Sequence, residues 1–131
     1  MKRYKLPAVI LLLLIAACKP AVKPENLYGT WKYIKVENPN ETPPDSVSKS
    51  TLQEETPSIR FSKGDSLTIV WGGKILSRGQ FIINGMNLQY YEILPGGKIR
   101  TFPFYVSELT DKEIVFETLG EEGTRVTAVK Q

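Results

Sequence analysis

The sequence predicts an all-β domain, an eight-stranded antiparallel up-and-down meander closed into a barrel, with a β-sandwich as the alternative. Three observations predict it. Aromatic and β-branched runs of five to twelve residues recur from Leu27 to Lys130. From the second run onward, only two to four turn residues separate each run from the next. No segment beyond residue 17 sustains a 3.6-residue apolar period. Short turns make antiparallel neighbours. A closed barrel removes both exposed edges. Sandwiches generally need Greek-key crossings, so sequential hairpins favour the barrel.

The chain opens on a different kind of segment. Lys2, Arg3 and Lys5 precede Leu6–Ala17, twelve uncharged residues dense in Leu and Ile. As a helix this run spans about 18 Å, at about 1.5 Å per residue. A bilayer core of roughly 30 Å needs about 20 apolar residues, so the run reads as a signal-peptide core. Ile15-Ala16-Ala17-Cys18 resembles a lipobox, in which a thiol must follow two small residues to take a thioether-linked diacylglycerol. Residues 1–17 are therefore expected to be a lipoprotein signal, with Cys18 the lipidated first residue and the membrane its partner. Lys19 replaces the Asp that favours inner-membrane retention in well-studied lipoproteins, and no acidic cluster follows. The expected location is the outer membrane, lipid-anchored at the periplasmic face.

Residues 18–26 read as a lipidated tether, with two prolines and three charges from Lys19 to Asn26. Residues 27–131 are the expected barrel domain. Leu27–Val36 is the first strand. Glu37–Pro57, polar and carrying four prolines, is a loop or lid with a short helix near Ser50–Glu55. Ser58–Ser62 and Ser66–Trp71 flank a Lys-Gly-Asp turn. Lys74–Ile83 follows Gly72-Gly73. Asn84-Gly85, a strong hairpin signal, leads into Met86–Leu94. Lys98–Leu109 contains Pro103, which demands an edge, a bulge or a bend. Glu113–Leu119 and Thr124–Lys130 complete the meander.

Composition excludes much. Of 17 basic residues three lie in residues 1–17, leaving 14 against 14 acidic ones. Such a neutral chain has no electrostatic footprint for nucleic acid. There is no histidine, and Cys18 is the only cysteine. Histidine–cysteine metal sites, Ser-His-Asp triads and Cys-His dyads are thereby excluded, and no EF-hand loop occurs. No cofactor, no metal site, no catalytic residue and no enzymatic activity are expected.

Tyr28-Gly29-Thr30-Trp31, at the start of the first strand, resembles the Gly-x-Trp signature of the lipocalins. The long first connection, Ile59-Arg60-Phe61, the Asn-Gly hairpin and the final strand make residues 25–130 similar to short lipocalin-like bacterial lipoproteins. The resemblance implies that Trp31 packs at the closed end of the barrel beneath a basic residue from a late strand. Arg125 is the first candidate for that residue, with Lys130 behind it. Gly29, Trp31 and Arg125 would then be structural.

Trp71, Tyr90, Tyr91, Phe102 and Phe104 are candidate ligand contacts, although a small barrel needs most of its aromatic side chains as filling. Alternation puts Tyr90 and Glu92 on one face and Tyr91 and Ile93 on the other, without saying which is inside. Glu92 reads as an exposed strand carboxylate paired with Lys or Arg across the hairpin. The mouth of any pocket belongs near the Glu37–Pro57 loop. Asp45-Ser46-Val47 and Asp65-Ser66-Leu67 resemble a short glycosylation pattern, and Asn40-Glu41-Thr42 matches an N-glycosylation sequon.

These readings converge on a membrane-anchored lipoprotein whose lipocalin-like domain binds a small apolar molecule. The alternative is a periplasmic protein-interaction or inhibitor module with a filled barrel, contacting a protein partner through the long loop and Phe102–Tyr105. The anchor has a direct test. Cys18→Ala is expected to release the protein from membranes or leave its precursor uncleaved, as read by cell fractionation and gel mobility. Normal cleavage with unchanged membrane location refutes lipidation.

Overall fold

The meander closes because its last strand returns to its first. The computed structural model describes residues 21–41, 44–118 and 123–131. Strand β1 (Gly29–Asn38) pairs with β3 (Ser58–Ser62) on one side and with β9 (Arg125–Lys130) on the other. Between them run β4 (Ser66–Trp71), β5 (Lys74–Asn84), β6 (Asn87–Ile93), β7 (Ile99–Leu109) and β8 (Glu113–Thr118), each antiparallel to its neighbours. Eight strands thus form the ring. A two-residue strand β2 (Asp45–Ser46) attaches to the end of β1, outside it. The β1–β9 ladder, from Trp31↔Lys130 to Glu37↔Arg125, rules out the sandwich. Each predicted run is a strand, with ends within two residues of those expected. Cys18, its lipobox, Thr42 of the sequon and the turn residues Gly120–Glu122 lie outside the described residues.

Pro103 sits inside β7 opposite Gln89 of β6. Among the described residues the β7–β8 ladder runs from Phe104↔Thr118 to Leu109↔Ile114.

One end of the barrel is plugged by the chain that enters it. Residues 21–27, expected as tether and strand, instead pack against this end. Val22 is buried and donates its N–H to the Gly85 carbonyl at 2.9 Å. Pro24–Leu27 forms a single helical turn, α1, with proline at its start, where a missing N–H costs nothing. Leu27 is fully buried, and its carbonyl accepts the Trp31 Nε1–H at 2.8 Å, so the indole packs without leaving its polar atom unpaired.

The cation above Trp31 is Lys130, not Arg125. Lys130 Nζ stands 4.7 Å from the centroid of the indole ring and donates to the Tyr28 carbonyl at 2.6 Å. Register is the physical reason. Trp31 and Lys130 are direct partners across the β1–β9 ladder, whereas Arg125 is opposite Glu37 at the other end. Arg125 pairs instead with Glu117, its cross-strand neighbour, at 3.5 Å. The same geometry explains Gly29. Its φ is +126°, and a Cβ there would lie 2.8 Å from Lys130 Cε, so the lysine stem crosses where a side chain would be.

The opposite end is partly roofed by helix α2 (Lys49–Glu55). Ser48 caps it, accepting the Thr51 N–H at 3.2 Å. Leu52 is its one buried side chain. Strand β1 leaves β3 after Lys32↔Ser58, and the Tyr33 N–H turns to the Pro57 carbonyl at 3.0 Å. The helix is tied down a second time, by Gly72 N–H donating to Glu55 carbonyl at 2.8 Å.

The closed end makes a quantitative prediction. Lys130→Ala should destabilise the fold by about 0.5–2 kcal/mol, the worth of the cation–π contact. Arg125→Ala should stay within about 0.5 kcal/mol, as a partly exposed pair allows. Gly29→Ala should cost on the order of 1–3 kcal/mol for the forced φ alone. Urea midpoints at constant m decide the ranking.

Candidate functional site at the barrel mouth

Strand β6 shows which face is inside. Leu88, Tyr90 and Glu92 are buried, while Gln89 and Tyr91 are half-buried on the outer face and Ile93 is exposed. Glu92 thus points into the barrel and is only 7% exposed, where the sequence suggested a surface carboxylate. The difference follows from parity, because Tyr90 takes the interior and carries Glu92 with it. The expected pairing across the hairpin does form. Glu92 and Arg100 are direct partners on β6 and β7, and Glu92 Oε1 accepts from Arg100 Nε at 2.9 Å and Nη2 at 2.6 Å.

The second carboxylate oxygen is also held. Ser77 Oγ, on β5, donates to Glu92 Oε2 at 2.5 Å and lies 2.6 Å from Tyr90 Oη. A serine has one proton, so with that proton on Glu92 the tyrosine donates to Ser77. Burial pushes the Tyr90 hydroxyl above its ordinary range, and so it keeps that proton at neutral pH. Gly79 is the cross-strand partner of Glu92. A Cβ at residue 79 would collide with the Tyr91 carbonyl, so β5 and β6 approach too closely for any side chain there.

The cluster spans the boundary between core and water. The Arg100 side chain is 61% exposed, and its guanidinium lies 5.3 Å from the Phe102 ring centroid. Below it the rings are continuous. Phe102 meets Tyr90 and Phe104 edge-on at 5.4 and 5.3 Å. Tyr90 and Phe104 stack at 5.6 Å. Phe104 meets Phe116 at 5.5 Å, Phe116 meets Tyr33 at 6.1 Å, and Tyr33 meets Trp71 at 6.4 Å. This chain of rings crosses the barrel from β7 to β4. Burial also drives the Tyr33 hydroxyl far above its usual range, as expected of a phenol enclosed by rings.

The five aromatic candidates therefore separate. Tyr90 and Phe104 are core. Trp71 and Phe102 are partly buried at the mouth and pack on the core from above. Tyr91 faces outward by alternation and is not brought to the others. A hollow of about 230 Å³ lies beneath α2, between Lys32, Tyr33 and Leu52, at the seam where β1 parts from β3. It is on the same end as the long loop, where the sequence put the mouth.

Sequence reasoning missed Ser77 and Arg100. Arg100 could have been found by counting outward from Pro95-Gly96-Gly97, which sets Ile93 opposite Ile99 and Glu92 opposite Arg100. Ser77 had no such signal. Its position depends on a register shift in the β4–β5 ladder between Ile69 and Val70.

Comparison with known proteins agrees with the fold. No protein-family model matches the chain. No curated protein matches it either. Among solved structures it is similar to a lipocalin-like protein from Bacteroides uniformis ATCC 8492. The two superpose with a TM-score of 0.57 over 81% of this chain and 99% of that one, at 18% identity. At that identity the likeness is one of architecture: this chain has a lipocalin-like, closed eight-stranded barrel.

The mouth cluster predicts its own fragility. Ser77→Ala leaves both the Glu92 Oε2 atom and the Tyr90 hydroxyl buried without that partner, which should cost about 1–3 kcal/mol. Adding Glu92→Leu should recover part of the loss, because a carboxylate that is gone needs no partner. A double-mutant cycle by urea denaturation reads the coupling, and strict additivity would show that Ser77 and Glu92 do not act together.

Proposed function

We propose that this chain is a lipid-anchored binding protein whose small, mainly apolar ligand sits in the mouth of the barrel rather than deep within it. One observation carries the reading. At the mouth, the half-buried ring of Phe102 stands beside a carboxylate–guanidinium pair whose Arg100 end is open to water, and Trp71 is half-buried at the same end of the barrel. Apolar walls with a few oriented polar groups are how small-molecule sites are built. Below this level Tyr90, Phe104, Phe116 and Tyr33 pack ring on ring in the core, so the ligand is held by the rim and by α2.

In the same reading Cys18 carries the lipid and the protein stands at the periplasmic face of the outer membrane. Val22, four residues after Cys18, is buried at the closed end. Four residues of extended chain span at most about 14 Å. A lipid on Cys18 would hold the plugged end near its bilayer and leave the mouth free.

The filled interior favours a second reading, in which the same end grips a protein. Both are tested with 1-anilinonaphthalene-8-sulfonate, whose rings and anionic group match Phe102 and Arg100. Saturable binding at one equivalent is expected, weakened about tenfold by Phe102→Ala and by Arg100→Ala, a change of about 1.4 kcal/mol. Absence of saturable binding, or binding indifferent to both substitutions, removes the small-molecule reading and leaves the interaction module.

A further inference from the structure

We infer that the outer rim of the mouth, where the β4–β5 and β6–β7 turns stand side by side, is a docking surface for an anionic lipid leaflet. This surface lies outside the ring, at the end opposite the Cys18 tether, so the leaflet it meets is not the one that an anchor on Cys18 would hold, and its role does not depend on what the mouth holds. Residues 74–78 (Lys-Ile-Leu-Ser-Arg) and 93–100 (Ile-Leu-Pro-Gly-Gly-Lys-Ile-Arg) carry five large aliphatic side chains, four basic ones and no acidic residue except through neighbours.

The aliphatic side chains are not turned inward. Ile75 is 64% exposed, Leu76 65% and Ile99 58%, and Ile93 is exposed beside them. The register explains why. The β4–β5 ladder passes from Ile69↔Ser77 to Val70↔Ile75 and leaves Leu76 without a partner. Ile93 and Ile99 face each other one rung beyond the inward Glu92↔Arg100 pair, and so share the outer face. A surface groove of about 350 Å³ joins the two turns, lined by Ile75, Leu76, Ile93, Leu94 and Pro95. Single exposed aliphatics are ordinary; a group of four at one tip is the kind of patch that marks a contact surface.

Charge selects the occupant. Lys74, Arg78 and Lys98 flank the aliphatic side chains in these two segments, while Arg100 is turned inward to Glu92 and Phe102. The nearby acidic groups are Glu92, already held by Arg100, and Glu55 of α2, whose carboxylate lies beside Gly72. Aliphatic tips that enter the acyl boundary, with basic heads at the level of the phosphates, form the pattern of an interfacial membrane site. Protein interfaces are instead enriched in aromatic residues and depleted of lysine, and this tip offers Ile, Leu and Lys.

The test uses the chain from residue 18 onward with Cys18→Ser, which lacks the apolar residues 1–17, so that one introduced thiol can be labelled with an environment-sensitive nitrobenzoxadiazole dye. The label goes to the rim through Ile99→Cys or to the barrel wall through Ile82→Cys, Ile82 being exposed on β5 near the closed end. Mixed phosphatidylcholine–phosphatidylglycerol vesicles should blue-shift the rim label and leave the wall label unchanged, and pure phosphatidylcholine should shift neither. Lys74→Glu with Lys98→Glu should weaken the rim response by about tenfold or more, with unchanged circular dichroism. A shift at both positions, or at neither, overturns the proposal. A rim shift with polyglutamate but not with vesicles overturns it in favour of an acidic protein partner. Binding of the naphthalene sulfonate inside the mouth is read separately, so loss of one function is distinguishable from loss of the other.

Discussion

Closure of β1 onto β9 is the constraint on which the rest of the structure depends. It converts a meander, which would leave two unpaired edges, into a ring with none among its eight strands. It also sets a register, and the register assigns the roles. Because Trp31 lies opposite Lys130, the lysine covers the indole, its stem requires glycine at residue 29, and its head satisfies the Tyr28 carbonyl. Tyr28, Gly29 and Trp31 near the start of the barrel and Lys130 at its end thereby become one latch. Slipping the ladder by one residue would turn Trp31 to solvent and expose the Leu27 plug beneath it.

The two ends of the barrel are therefore unlike for a reason rooted in the chain. The entering segment, Val22 to Tyr28, spends its apolar side chains on one end and leaves none for the other. At the other end the roof is α2, which contributes only Leu52 to the core. What remains open is a ring of partly buried aromatic groups and one ion pair. Glu92 is the buried charged side chain among the described residues, and a buried carboxylate is tolerable only when its oxygens are occupied. Ser77 and Arg100 occupy both. The pair is anchored on the core side and free on the water side, which is the polarity a recognition group at a mouth requires.

The fold was legible in the sequence to a greater degree than the site. Eight runs separated by short turns determine a meander almost by themselves, because a two-residue turn such as Asn84 with its following glycine permits only an antiparallel neighbour. Closure was an argument from exposed edges, and it held. What could not be read was anything that depends on lateral register between distant strands. Arg125 and Lys130 lie on the same strand and carry the same charge, so only the offset against β1 distinguishes them. The face of Glu92 was a question of parity, and parity within one strand has no origin until a neighbour supplies it. The helical turn Pro24–Leu27 escaped for another reason: four residues are too few to show a period, and its stability comes from the surface on which Leu27 packs.

These limits bear on function. In a barrel of eight strands the interior is just large enough to be filled by side chains or to hold a small ligand, and the number of aromatic residues decides between the two. Here the rings from Phe102 to Trp71 make contact in sequence from β7 through β8 and β1 to β4, and so take up interior space that a ligand would need. A filled barrel cannot distinguish ligands by depth. In the binding reading proposed above, selectivity would reside where the packed rings stop, in the rings that face both core and solvent and in the guanidinium that faces both Glu92 and water. The same filling makes the rim rigid, because Phe102 and Trp71 rest on packed rings rather than on a cavity. The mouth is thus a preorganised surface, and it owes that property to the packed rings beneath it.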